Sequence, residues 1–196
     1  MAAWFLVMGA LGVFHISDDW SILQAFSPHY GVMFLFDNSW VGFVILGSVF
    51  LAVTGAEALY ADMGDFGLRP LRVSWLLVGL PCLALNYLGQ GANVLAHPEA
   101  RFNPFWEMVP ELAYWPVLVL ATAATVIASQ AVITGAFSVT QQAIQLGFIP
   151  RMTIKHTSLQ AGQIYIPVVN FGLMIAVILL VLVFQRSANL TAAYGI

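Results

Sequence analysis

Thr54, Gly55 and Glu57 close a long apolar run, Trp40 to Val53, and form the densest chemistry in the chain. A carboxylate held in hydrocarbon costs roughly 2.5–3.5 kcal/mol on insertion scales. Glycine is also a poor residue for an isolated helix. One reading is a discontinuous helix. Gly55 lets the backbone unwind and frees carbonyl oxygens, Thr54 adds a hydroxyl, and Glu57 titrates or balances the charge of a cation. The other reading is that Glu57 lies near a helix end and reaches the membrane interface, since Tyr60 and Asp62 follow closely. Spacing alone does not separate the two.

A second set of oxygens lies further on. Thr122, Thr125 and Ser129 are spaced i, i+3, i+7 and share one helix face. Hydroxyls on an inward face suit a hard cation, but small polar residues more often mediate helix packing in lipid. Asn86 and Gln90, at i, i+4, carry the same ambiguity, and Gly89 and Gly91 beside them predict a close helix contact. The histidines His15, His29, His97 and His156 are far apart, with no HExxH pair. GxSxG and Walker A patterns are absent, so hydrolase and ATPase chemistry lack their usual signals and no enzyme or cofactor is expected. Cys82, the single cysteine, excludes a disulfide framework and reads as an inert helix residue. The Asn189-Leu190-Thr191 sequon reads as a chance match.

The elements that carry these groups must sit in lipid. Of the 196 residues, 61% are hydrophobic and 8% charged, against about 25% charged in a soluble domain. The net charge of −3 and the lack of a basic block argue against nucleic acid as a partner. The pattern predicts an all-α, polytopic membrane protein, a single transmembrane region over 1–196, with helices over about 3–16, 40–59, 73–95, 114–144 and 164–184. The first is too short to span, at about 21 Å. Ser17–Ser39 reads as a linker broken by Pro28 and His29, and Asp62 to Arg72 as a loop. Pro81 should kink the third helix, and Pro167 falls in the first turn of the fifth, where proline is tolerated. The fourth is over-long and should emerge as an amphipathic extension. Pro150–Gln163 reads as a basic loop. Lys and Arg favour the Arg69/Arg72 and Arg151/Lys155 loops, which places both loops, and the start of the chain, on the cytoplasmic side. Met1–Ile16 lacks the marks of a signal peptide, and both ends read as cut, as in an internal piece of a larger membrane protein or a truncated gene.

Several motifs together resemble one family. The run LAVTGAEALYADMG, Leu51–Gly64, resembles the sixth-helix motif of the Kup (KUP/HAK/KT) potassium uptake proteins. The agreement continues collinearly through LNYLGQGA (Leu85–Ala92), NPF (Asn103–Phe105), ATVIASQAVI (Ala124–Ile133), GAFS (Gly135–Ser138), GQIYIP (Gly162–Pro167) and AAYGI (Ala192–Ile196). The resemblance implies a fragment of a five-plus-five inverted-repeat transporter of the amino acid–polyamine–cation superfamily, from the end of the fifth helix to the start of the tenth. It implies potassium uptake with a proton, in a bacterial inner membrane, with K⁺ and H⁺ as transported ions and no cofactor. Thr54 and Glu57 correspond to the family's potassium-binding and proton-coupling residues. Tyr194, Thr125 and Ser129 are weaker candidates for the cation site. Asp65 stands where many members have histidine. The family's glycine-rich first-helix motif, with its aspartate and tyrosine, and the third-helix hydroxyls are not in the sequence. The expected partners are therefore the lipid bilayer, a potassium ion and a missing N-terminal half, with a homodimer as one form of assembly. The alternative is a truncated membrane fragment that does not transport by itself.

Overall fold

The computed structural model describes residues 1–52, 67–156, 164–187 and 189–190. Thr54, Gly55, Glu57, the last part of the helix expected to Leu59, and Tyr194 lie outside the described residues. In chain order the elements are α1 (Ala2–Ile16), a 3-10 segment (Trp20–Phe26), α2 (Pro28–Asp37), α3 (Ser39–Ala52), α4 (Leu68–Ser74), a π-helical turn (Trp75–Gly79) and α5 (Leu80–Ala96). Then follow a 3-10 segment (Pro98–Phe102), α6 (Pro104–Glu107), a 3-10 turn (Glu111–Ala113), α7 (Tyr114–Gln145), β1 (Lys155–His156), β2 (Ile164–Tyr165) and α8 (Pro167–Phe184). The fold is helical apart from β1 and β2, which pair antiparallel with Lys155 opposite Tyr165 and His156 opposite Ile164.

Among the described residues, three helical stretches are long and apolar enough to cross a membrane: Leu68–Ala96, Glu111–Gln145 and Pro167–Phe184. A fourth crossing results if α1 and Trp20–Phe26, bent by 115° at the break between them, act as one broken span. The break is local chemistry. The Ser17 hydroxyl donates to Phe14 O at 2.8 Å, and the Asp19 carboxylate accepts from Ser21 N–H at 2.8 Å, capping the 3-10 segment.

Proline accounts for most differences from the sequence expectations. Pro28 opens α2 instead of breaking the chain, and Leu68–Arg72, expected as loop, is the first turn and a half of α4 with Pro70 inside it. In a first turn the missing N–H has no intrahelical acceptor to lose. The irregularity expected at Pro81 takes the form of a π turn. Leu80 N–H donates to Trp75 O, five residues back, just before the proline ring would crowd residue 77. One stretch of 29 residues, Leu68–Ala96, results. Pro167 opens α8 as expected, but Ile164 and Tyr165 belong to the short ladder that precedes it. This ladder also interrupts the loop expected over Pro150–Gln163.

Two compact units divide the chain: Met1–Phe34 with Leu68–Ile127, and Leu35–Gly67 with Ala128–Ile196. In the first, α1 packs along α5. Gly9 lies against Cys82, and Gly12 against Leu85, Asn86 and Gly89. Position rises together along both helices, so they run parallel. The second unit holds a small core of Phe137, Ile164 and Ile166, flanked by Ile133, Met152, Ile154, Tyr165 and Val169. Phe137 meets the Tyr165 ring edge-on at 5.8 Å.

Candidate functional site

The polar groups of α5 form one stripe. Asn86, Gln90, Asn93 and His97 recur at i, i+4, i+7, i+11, a helical period. Asn86 and Asn93 are only 3% and 4% exposed. Asn86 Nδ2 donates to Met8 O on α1 at 3.2 Å, and Gln90 Nε2 donates to Asn86 Oδ1. His97 Nδ1 lies 3.2 Å from Asn93 Oδ1, and its backbone N–H donates to Asn93 O at 2.8 Å, closing the helix. Asn93 Nδ2 has no partner among the described residues. A buried amide donor of this kind marks a place that another group or a water completes.

Glycine makes this stripe reach α1. A Cβ on Gly12 would collide with the Leu85 carbonyl, and one on Gly89 would stand 2.5 Å from Gly12 Cα. Backbone thus meets backbone, which is how small residues bring helices together in lipid. The close contact expected at Gly89 is present. Gly91 meets the Ile22 side chain of the 3-10 segment instead of a helix backbone. Cys82 is a free thiol, half-buried against Gly9.

Thr122, Thr125 and Ser129 lie on the exposed side of α7. The Thr122 hydroxyl donates to Leu118 O and the Thr125 hydroxyl to Ala121 O, both at 2.9 Å. In each case the hydroxyl proton goes to the carbonyl one turn back in the same helix. Thr54, Glu57 and Tyr194 lie outside the described residues, and of the five candidate cation residues Thr125 and Ser129 are described, both on α7. Asn93, His97, Gly9 and Gly12 were not singled out as a set by the sequence. Their signal was present as two helical spacings, 86-90-93-97 and 9-12, but the pairing of those two faces is non-local.

This arrangement defines a multi-pass, α-helical integral membrane protein whose helices meet through glycine and amide groups. Residues 1–196 match the family described as the K+ potassium transporter integral membrane domain. The chain is 60% identical over all of its length to the probable potassium transport system protein Kup 1 of Novosphingobium aromaticivorans. It is 61% identical over 98% of its length to that of Sinorhizobium medicae, and 58% identical over 98% to the Kup protein of Bdellovibrio bacteriovorus. It spans about 30% of the length of these curated relatives. No solved structure matches. The chain belongs to the K+ potassium transporter family, a family of membrane transporters and not of enzymes.

Proposed function

We propose that the chain works as part of a Kup-type transporter that carries potassium into the cell together with a proton, across a bacterial inner membrane. The observation that carries this reading is the family match over the whole chain, together with 55–61% identity to proteins named as potassium transport systems. In this reading the helix through Thr54, Gly55 and Glu57 unwinds at Gly55. The freed carbonyls and the Thr54 hydroxyl replace water around K⁺. Glu57 takes up and releases the coupled proton. Tyr194 stands beside the ion, and the Thr125 and Ser129 hydroxyls supply further oxygens. Because the chain spans about 30% of its relatives, segments outside this sequence complete the site.

The test is a chimera in which the chain replaces the corresponding segment of the N. aromaticivorans relative, expressed in a potassium-uptake-deficient strain. The chimera is expected to restore growth at low potassium. Thr54→Val should reduce uptake at least tenfold, and Glu57→Gln should abolish its acceleration at low external pH. Uptake by Glu57→Gln with an unchanged pH profile removes the carboxylate from proton coupling. No uptake by the unmodified chimera rejects the transport reading.

A further inference from the structure

We infer that α1 and α5 travel as one rigid body through the transport cycle, locked by the seam of Gly9, Gly12, Cys82, Asn86 and Gly89. The inference rests on the transporter reading and adds to it which helices do not move against each other. Two independent observations carry it. The first is steric. Gly12 and Gly89 touch backbone to backbone, and Gly9 is closed by Cys82. A slide of one helical turn, 5.4 Å, would set Gly89 against the side chain of Met8 or Ile16, where a Cβ already has no room. The second is polar. Asn86 is buried and donates an amide proton to Met8 O of α1, while its oxygen accepts from Gln90. Sliding or rotation strips that amide of its acceptor in an environment without water to replace it. Packed faces of this kind have discrete arrangements and do not deform continuously. The seam has no second register in which both the glycines and the amide are accommodated. Motion during transport therefore falls on the faces that α1 and α5 turn away from each other.

The native thiol supplies the test. A Cβ at Gly9 would lie 3.1 Å from Cys82 Sγ and 3.3 Å from Cys82 Cβ. Disulfide-bonded Cβ atoms stand about 3.5–4.5 Å apart, so the pair is within reach of a bond once the two helices give by a few tenths of an ångström. Gly9→Cys in the chimera should therefore form a disulfide with Cys82 under mild oxidation. The yield should be equal in potassium and sodium media, and the cross-linked protein should keep uptake within twofold of its reduced form. Gly9→Cys with Cys82→Ala controls for oxidation elsewhere. A loss of uptake greater than twofold that a reductant restores overturns the inference, as does a yield that changes severalfold with potassium. Absence of any cross-link refutes the seam itself. Should Gly9→Cys fail to accumulate, hydrogen exchange of the unmodified chimera over residues 85–93 decides. Equal protection in both media upholds the rigid pair, and potassium-dependent loss of protection overturns it. Cross-link yield and exchange need no transport, so they test the α1–α5 seam separately; failure of the chimera to carry potassium rejects the transport reading, and with it the rigid-body motion, while leaving the seam tested.

Discussion

Helices α5 and α8 have nearly the same length, 17 and 18 residues, yet they meet the rest of the protein in opposite ways. In α5, Asn86, Gly89, Ala92 and Asn93 are buried; in α8, a run of valine, isoleucine and leucine, none of the residues is. A water-soluble protein would invert this order. In lipid, exposing Leu179 or Val183 costs nothing, because the acyl chains are as apolar as the side chains they would otherwise touch. What lipid cannot do is accept a hydrogen bond or fill the notch left by a missing Cβ. Polar and small residues therefore mark where α1 and α5 meet, and apolar ones dominate the exposed surface of α8. The same substitution should then have opposite consequences on the two helices.

The largest expected contrast is between Gly12→Leu and Gly172→Leu. A side chain at Gly12 meets the Leu85 carbonyl and backbone, which cannot move aside, whereas among the described residues nothing lies within 4 Å of a Cβ at Gly172. Gly12→Leu should cost about 3 kcal/mol, the upper end of the usual overpacking range, and most of the detergent-stable chimera. Gly172→Leu should be neutral or gain up to about 1 kcal/mol from helix propensity. Thermal stability in mild detergent, read by size-exclusion profile, checks both. Equal losses would show that α8 also has a packed face.

Asn86→Leu comes next. It removes the bond to Met8 O and unpairs Gln90, for about 1.5 kcal/mol, near the top of the range for polar contacts between membrane helices. Leu179→Ala, at a position 56% exposed on α8, should stay within about 0.5 kcal/mol. If the leucine matters more than the asparagine, apolar packing governs these helices after all. Ile166→Val, in the fully buried position ahead of α8, should cost about 1 kcal/mol, because there the neighbours are Phe137 and Ile164 and not lipid. Its effect should appear as faster proteolysis beside the β1–β2 ladder while the α1–α5 pair stays intact.

The sequence carried the helices better than their contacts, and the reason is physical. Helix α7 was expected over 114–144 and runs Tyr114–Gln145, since its apolar length and the prolines before it are local facts. Pro28, expected as a breaker, and Pro70, inside the expected loop, both fall in the first turn of a helix, because proline is suited to a first turn as well as to a break. Only the hydrogen bonds on either side tell which. Asn86, Gln90 and Gly89 were legible as one contact face, but nothing local says that the face belongs to Gly9 and Gly12, some 75 residues earlier. For the cation site the sequence supplied residue types and a family resemblance. Thr125 and Ser129 are helical neighbours with hydroxyls, and their relation to Thr54 and Glu57 is a matter of tertiary placement that spacing does not encode.

The smallest expected effect compares how the same two kinds of helix end. Helix α8 stops with uncharged groups: Gln185, in the left-handed region at φ 55°, donates its N–H to Val181 O at 3.0 Å, and Asn189 Nδ2 donates to Phe184 O at 3.3 Å. Helix α1 ends at the bend where the Asp19 carboxyl is held below its ordinary value of 3.8 by hydrogen bonds from the Ser21 hydroxyl and backbone N–H. A carboxylate whose value is depressed by folding contributes stability that is fully present above its unfolded value and is lost as pH falls through the folded one. The 3-10 segment Trp20–Phe26 should therefore hold constant protection from neutral pH down to about pH 5 and lose it progressively below 3.8. Asp19→Asn should show no such dependence, and the end of α8 should show none in either protein. Hydrogen exchange at the Ser21 amide, corrected for its intrinsic pH dependence, reads this directly. A wild-type profile as flat as that of Asp19→Asn would mean that the bend is held by Ser17 and the backbone, and that the two helix ends are built alike.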